Sequence, residues 1–174
     1  MKKWLTLLCA ALLPALALGT LPVGQQPPLV TLDGEKGERV SGGAWSSDEL
    51  VGSIHILFYV DPDESDLNNA ASEALKAADF DKQQFRSVAI INMEATWLPN
   101  AVIQMRLESK QEEYPRTVYV RDYQKVLVEQ WNLADDSSDI VLFDRDGTVL
   151  FSVDGQLSDA QIQELLGLIR ERMN

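Results

Sequence analysis

One cysteine, Cys9, and one histidine, His55, are the whole thiol and imidazole complement of 174 residues. Cys9 lies inside an apolar leader, so the mature chain is expected to carry no thiol. Disulfide exchange needs a thiolate and is thereby excluded. A lone histidine with no cysteine beside it also leaves no Cys–His or His–His pair for nucleophilic catalysis or for zinc. Basic residues are scarce: 15 Lys and Arg stand against 27 Asp and Glu, a net charge of −12. Lys2 and Lys3 belong to the leader, which has no acidic residue, so 13 basic and 27 acidic residues remain and the mature charge is −14. Such a surface repels nucleic acid and anionic lipid head groups, which argues against a nucleic-acid regulator. It suits cations or a basic partner, and it also keeps a protein soluble. Internal repeats and long low-complexity segments are missing. What is present, 45% hydrophobic and 24% charged residues, is the composition of one globular domain with a core of its own.

Residues 1–19 read as a secretory signal peptide. Lys2 and Lys3 form its positive start, Trp4 to Leu13 its apolar stretch, and Pro14 breaks that stretch. Ala15-Leu16-Ala17 and Ala17-Leu18-Gly19 are small-x-small cleavage sites, placing the cut after residue 17 or 19. The apolar stretch is too short to span a bilayer, and no later one is longer. Leu8 precedes Cys9 where a lipoprotein signal wants a small residue, so no membrane anchor is expected. The expectation is a periplasmic protein with one domain over residues 20–174.

Along that domain, Leu29 to Leu32 reads as a short edge strand, with a turn at Asp33-Gly34 and a returning strand over Glu38 to Ser41. Ile54 to Val60 is β-branched, aromatic and nearly all apolar, the mark of a strand buried on both faces. His55 falls within it, on the side of Leu57 and Tyr59, as a packed residue rather than a catalyst. Ser65 is placed to cap a helix over 66–78, with Leu67, Ala70, Ala71, Ala74, Leu75 and Ala78 as its stripe. A strand at Ser87 to Asn92 and a helix from Pro99 to Glu113 follow, then a strand at Thr117 to Arg121. Val126 to Leu133 has mixed spacing and reads equally as strand or helix. Ile140 to Phe143 and Val149 to Val153 flank Asp144-Arg145-Asp146-Gly147 and predict a hairpin. Ser158-Asp159-Ala160-Gln161 is a capping box opening a last helix with Ile162, Leu165, Leu166 and Ile169 on one face. Parallel strands joined by helices, then a hairpin and a closing helix, give a thioredoxin-like α/β fold: a mixed central sheet flanked by helices, with an N-terminal strand pair.

The run Val23 to Pro28, Asp48 to Gly52 before a strand ending Leu57-Phe58-Tyr59, and Phe143 to Val149 are similar to the ends of peroxiredoxins and thiol-disulfide oxidoreductases. More closely, Glu49-Leu50-Val51-Gly52, Leu107-Glu108-Ser109, Gln130 to Leu133, Ser137-Ser138 and Asp154-Gly155 resemble the YtfJ family of small bacterial periplasmic proteins. The resemblance implies a thioredoxin-like fold. It also implies where a redox site would lie. Asp63 and Asp66 stand at the positions of the two cysteines, and Ser138 stands at that of the usual cis-proline. With all three replaced, the resemblance does not bring thiol activity with it.

In that fold the loop after the first central strand faces the loop before the hairpin. One holds Asp61, Asp63, Glu64 and Asp66; the other holds Asp135, Asp136 and Asp139. Clustered carboxylates suit a hard cation such as Ca²⁺, although the glycine and distal Glu of an EF-hand are missing. The plainer reading, which the sequence favours, is that Asp66 opens its helix and the others are solvated loop acids. No catalytic residue and no cofactor are expected, Ca²⁺ being the one candidate ion at Asp61, Asp63, Asp66, Asp135, Asp136 and Asp139. The sequence thus points to a non-enzymatic binding module acting on a periplasmic protein or small ligand through the degenerate redoxin face. An enzyme, either a cysteine-free redox partner or a metal-dependent hydrolase, is the alternative. N-terminal sequencing of the exported protein should begin near Leu18 or Thr20; recovery of Met1 from folded protein would show that the leader is retained.

Overall fold

The structure, a computed structural model, describes residues 20–173. The leader and its cleavage sites lie outside those residues. A six-stranded sheet forms the centre. In chain order its strands are β2 (Gly37–Arg39), β4 (Ile54–Val60), β5 (Phe85–Asn92), β6 (Thr117–Asp122), β7 (Ser138–Phe143) and β8 (Val149–Val153). Their spatial order is β2-β6-β5-β4-β7-β8, with β4, β5 and β6 parallel and the others antiparallel to their neighbours. The helices are α1 (Asn69–Ala78), α2 (Asn100–Glu113), α3 (Val126–Trp131) and α4 (Asp159–Met173). Among the described residues, no helix is long and apolar enough to cross a membrane.

β4 sits at the centre because both its faces are apolar. Leu57 and Tyr59 join Val88, Ile90, Val120 and Val141 beneath Trp45 and the α3 residues Leu127 and Trp131. Ile54 and Ile56 join Ile140 and Leu142 beneath α1 and α4. The capping box of α4 is formed, Ser158 Oγ accepting from the Gln161 N–H and the Gln161 side chain accepting from the Ser158 N–H. Ile162, Leu165, Leu166 and Ile169 are buried, as their spacing predicts.

Three local expectations change. The N-terminal strand pair exists, but β1 (Thr31–Leu32) pairs with β3 (Trp45–Ser46), while residues 37–39 leave to extend the main sheet beside β6. Gly37 makes that possible, since a Cβ there would lie 2.2 Å from the Arg121 carbonyl oxygen. Helix α1 begins at Asn69 rather than after Ser65, because Pro62–Glu64 forms a separate 3-10 turn first. The ambiguous 126–133 stretch is helix over Val126–Trp131, held at its start by the last residue of β6: the Asp122 carboxylate accepts from the Val126 and Leu127 N–H groups at 2.9 and 3.0 Å.

Phe58 is only half-buried, whereas Leu57 and Tyr59 have no exposed surface. Leu57 is therefore one of the fully buried core sites of this strand, with Ile54, Ile56 and Tyr59, and Phe58 is not. Leu57→Ala should cost about 3–5 kcal/mol through lost burial and the cavity left behind, and Phe58→Ala should cost less. Urea unfolding midpoints of the two variants check the order; a larger loss for Phe58→Ala would misplace the faces of β4.

Candidate functional site

The site lies at the sheet end where β4 and β5 finish and β7 begins. Val60 pairs with Ser138, and Asn92 pairs with Asp122, so residues 61, 92, 122 and 137–139 gather at one edge. Ligands in α/β folds gather at the carboxyl ends of parallel strands, where loops diverge and leave a crevice.

Asp61 is 1% exposed. Its N–H donates to the Ser137 carbonyl at 3.0 Å, and its Oδ2 accepts from the Ser137 N–H at 2.7 Å. Its Oδ1 has no hydrogen-bond partner among the described residues. Burial drives the Asp61 carboxyl up to about 7; the Ser137 N–H and the Asn92 amide oppose the rise, and the charges of Asp135 and Asp136 add to it. Asp139 has no exposed surface. It pairs with Tyr59 across the ladder, accepts a long 3.4 Å bond from the Ala134 N–H, and leaves Oδ2 unpartnered. Burial pushes it up to about 8, with the Ala134 N–H opposing and Asp154 and Asp61 adding repulsion.

Asp135 is exposed but tethered. Its two oxygens accept from Asn92 Nδ2 at 3.0 Å and from Lys125 Nζ at 2.6 Å. That bond to Asp135 is the main reason the Lys125 ammonium is held above its ordinary range. Asp136, in the left-handed region at φ 56°, is exposed. One oxygen each of Asp61, Asp135 and Asp136 lies within 4.8 Å of the others. Asp63, Asp66 and Asp139 are not part of that trio. Asp63 turns outward and accepts from Thr96 Oγ1 at 3.1 Å, and Asp66 accepts from Asn69 Nδ2 at 3.1 Å.

Ser138 is buried at the start of β7, and Asn68 holds it. The Asn68 amide nitrogen donates to Ser138 Oγ and O at 3.1 and 3.3 Å and to the Gly155 carbonyl at 3.1 Å. Its oxygen accepts from the Leu157 N–H at 3.0 Å. His55 lies away from this edge. It is 5% exposed, with Nδ1 at 3.0 Å from the Ser53 carbonyl, and burial lowers its pKa against that bond. It is a packed core residue.

Four participants are not legible as site residues in the sequence. Asn68 and Asn92 are single polar residues next to apolar stretches. Lys125 falls in a turn, 10 residues from its partner Asp135. Trp97, 85% exposed, follows Thr96 in the loop that reaches Asp63. The one signal was position: Asn92 ends a predicted strand, where a polar side chain faces the crevice.

The fold is that of thioredoxin-like redoxins. The chain is similar to a thiol-disulfide isomerase from Corynebacterium glutamicum, with a TM-score of 0.59 and 20% identity over 82% of this chain and 96% of that one. It is also similar to the reduced 2-Cys peroxiredoxin of Plasmodium vivax, with a TM-score of 0.57 and 14% identity over 86% of this chain and 96% of that one. Within that class, the chain belongs to the family described as "Bacterial protein of unknown function (YtfJ_HI0045)", which matches residues 24–172. It is 29% identical to "Uncharacterized protein YtfJ" of Escherichia coli (strain K12), over 98% of this chain and 97% of that protein. An "Uncharacterized protein" of Haemophilus influenzae (strain ATCC 51907 / DSM 11121 / KW20 / Rd) is 25% identical over 97% of this chain and 96% of its own length.

Two buried carboxyls raised above their ordinary 3.8, to about 7 and about 8, make stability depend on pH. Between those limits the folded chain keeps protons that the unfolded chain releases. Stability should therefore fall as pH rises from about 4 to about 8, by up to about 1.4 kcal/mol per pH unit for each group. Asp139→Asn keeps the acceptor for Ala134 and removes one of the two protons. Denaturant unfolding of this variant should show a shallower fall over that range and higher stability than wild type at pH 8. An identical slope would mean that Asp139 is not a buried, protonated acid.

Proposed function

We propose that the protein is an exported, periplasmic thioredoxin-fold module that binds a basic protein segment at the degenerate redoxin face and does no thiol chemistry. The observation that carries this reading is what occupies the face. At the three positions where the resemblance places cysteines and cis-proline, Asp63 is held by Thr96, Asp66 by Asn69 and Ser138 by Asn68. Each is a structural hydrogen bond. None is a nucleophile set against a base.

What the face offers outward is charge and one large ring. Asp63, Asp135 and Asp136 are exposed there, and Trp97 stands 85% exposed one residue from the Thr96 contact. An exposed indole beside carboxylates suits Arg or Lys side chains, which pair with the acids and stack on the ring. The signal-like leader and the mature charge of −14, from 13 basic and 27 acidic residues, support the periplasm and a basic partner.

Tagged mature protein should retain a protein from periplasmic extract that, once purified, binds directly. Trp97→Ala and Asp63→Asn, both surface changes, should each weaken that binding, and salt should weaken it further. Equal binding by wild type and both variants, or insulin reduction by pure protein above a heat-killed control, would sink the reading.

A further inference from the structure

We propose that Asp61, Asp135 and Asp136 form a binding site for a hard divalent cation, with Ca²⁺ as the ion they fit best. The inference rests on the same face being a binding surface: the cation takes Asp61, Asp135 and Asp136, and Asp63 with Trp97, outside the trio, remains for the basic segment.

Two independent observations carry it. One oxygen from each of the three carboxylates lies within 4.8 Å of the others, close enough to share one ion. Separately, Asp61 is 1% exposed and its Oδ1 has no hydrogen-bond partner among the described residues. A buried acceptor without a donor is costly, and a cation would supply what the protein leaves out. The acids are also held in place. The Ser137 N–H fixes Asp61 through Oδ2 at 2.7 Å, and Asn92, itself fully buried and close to Asp61, spends its amide N–H on Asp135 at 3.0 Å. Asp136 is exposed, with a carboxylate oxygen already within 4.8 Å of those of the other two.

Charge and donor type select the ion. Three carboxylates carry −3 when ionised; Lys125, 2.6 Å from Asp135, adds +1, and the remaining −2 matches a divalent cation. The donors are all oxygen, which disfavours zinc and the softer metals. The trio is irregular, with one buried and two exposed members, so water must complete the shell. Ca²⁺ accepts six to eight oxygens in flexible geometry, whereas Mg²⁺ demands a near-ideal octahedron. Few charged ligands around one ion give a Kd on the order of 10⁻⁴–10⁻³ M, the range of extracellular calcium modules.

The test is calorimetric titration of the mature protein with CaCl₂, paired with thermal unfolding at matched ionic strength. Wild type should bind one Ca²⁺, and its melting temperature should rise by about 5–10 °C when free Ca²⁺ exceeds Kd about a hundredfold. Asp136→Asn, an exposed change that leaves the fold intact, should weaken binding by at least about tenfold, since even outer-shell losses cost that much. Asp61→Asn should abolish it, and Asp63→Asn should leave it unchanged. No heat and no melting shift, a shift equalled by NaCl, or equal affinity in wild type and Asp136→Asn would each overturn the site. Partner capture repeated in EGTA separates the two ideas: capture still dependent on Trp97 without any Ca²⁺ response would overturn the cation site and leave the binding face standing.

Discussion

A single amide, that of Asn68, holds together the sheet edge at which the candidate site lies. Its nitrogen and oxygen reach Ser138 at the start of β7, Gly155 after β8, and Leu157 before α4. Asn68 stands at the N-terminus of α1, yet its side chain makes no capping bond to that helix. The amide is used instead to join three chain segments that are 70 to 89 residues away. Buried polar groups cost free energy unless satisfied, and here both ends of the amide are satisfied, so the crossing is specified and rigid. At Ser138, where the resemblance places the cis-proline of a redoxin, this chain has a structural clasp.

The clasp has a counterpart on the other face of the sheet. Asp122, fully buried, accepts from the Tyr59 hydroxyl and from the N–H groups of Gln124, Val126 and Leu127. Those bonds start α3 and anchor it over the core. Burial, followed by the neighbouring Asp122 charge, keeps the Tyr59 phenol protonated far above its ordinary range, so its hydroxyl retains the proton it donates to Asp122. Asp61 and Asp139 contrast with both hubs. Each is as buried as Asp122, but each keeps one oxygen without a partner. Three buried carboxylates in one region thus divide into one that is saturated and two that are not. Incomplete saturation at a crevice is where a fold retains the capacity to take up a proton or a ligand.

The sequence by itself determined the elements whose signals are local. The all-apolar run of β4, the Asp-Arg-Asp-Gly hairpin and the Ser158–Gln161 box each encode their structure within a few residues, because propensity, turn chemistry and capping act over that range. The thioredoxin-like order followed from those elements in sequence. That two acidic loops meet was legible too, since the fold sets their strands side by side. Tertiary structure alone decided which acids meet. Asp63 and Asp66 look equivalent to Asp61 in the sequence, but Thr96 and Asn69 turn them outward while Ser137 draws Asp61 inward. It also decided that residues 126–131 are helical, through an Asp122 carboxylate placed by β6, and that residues 37–39 join β6, through the close approach of Gly37 to Arg121. The Asp63–Thr96, Asp61–Ser137 and β2–β6 contacts join groups distant along the chain, which no local pattern carries, while the short-range Asp66–Asn69 and Asp122–Val126 bonds depend on where the surrounding fold directs each carboxylate.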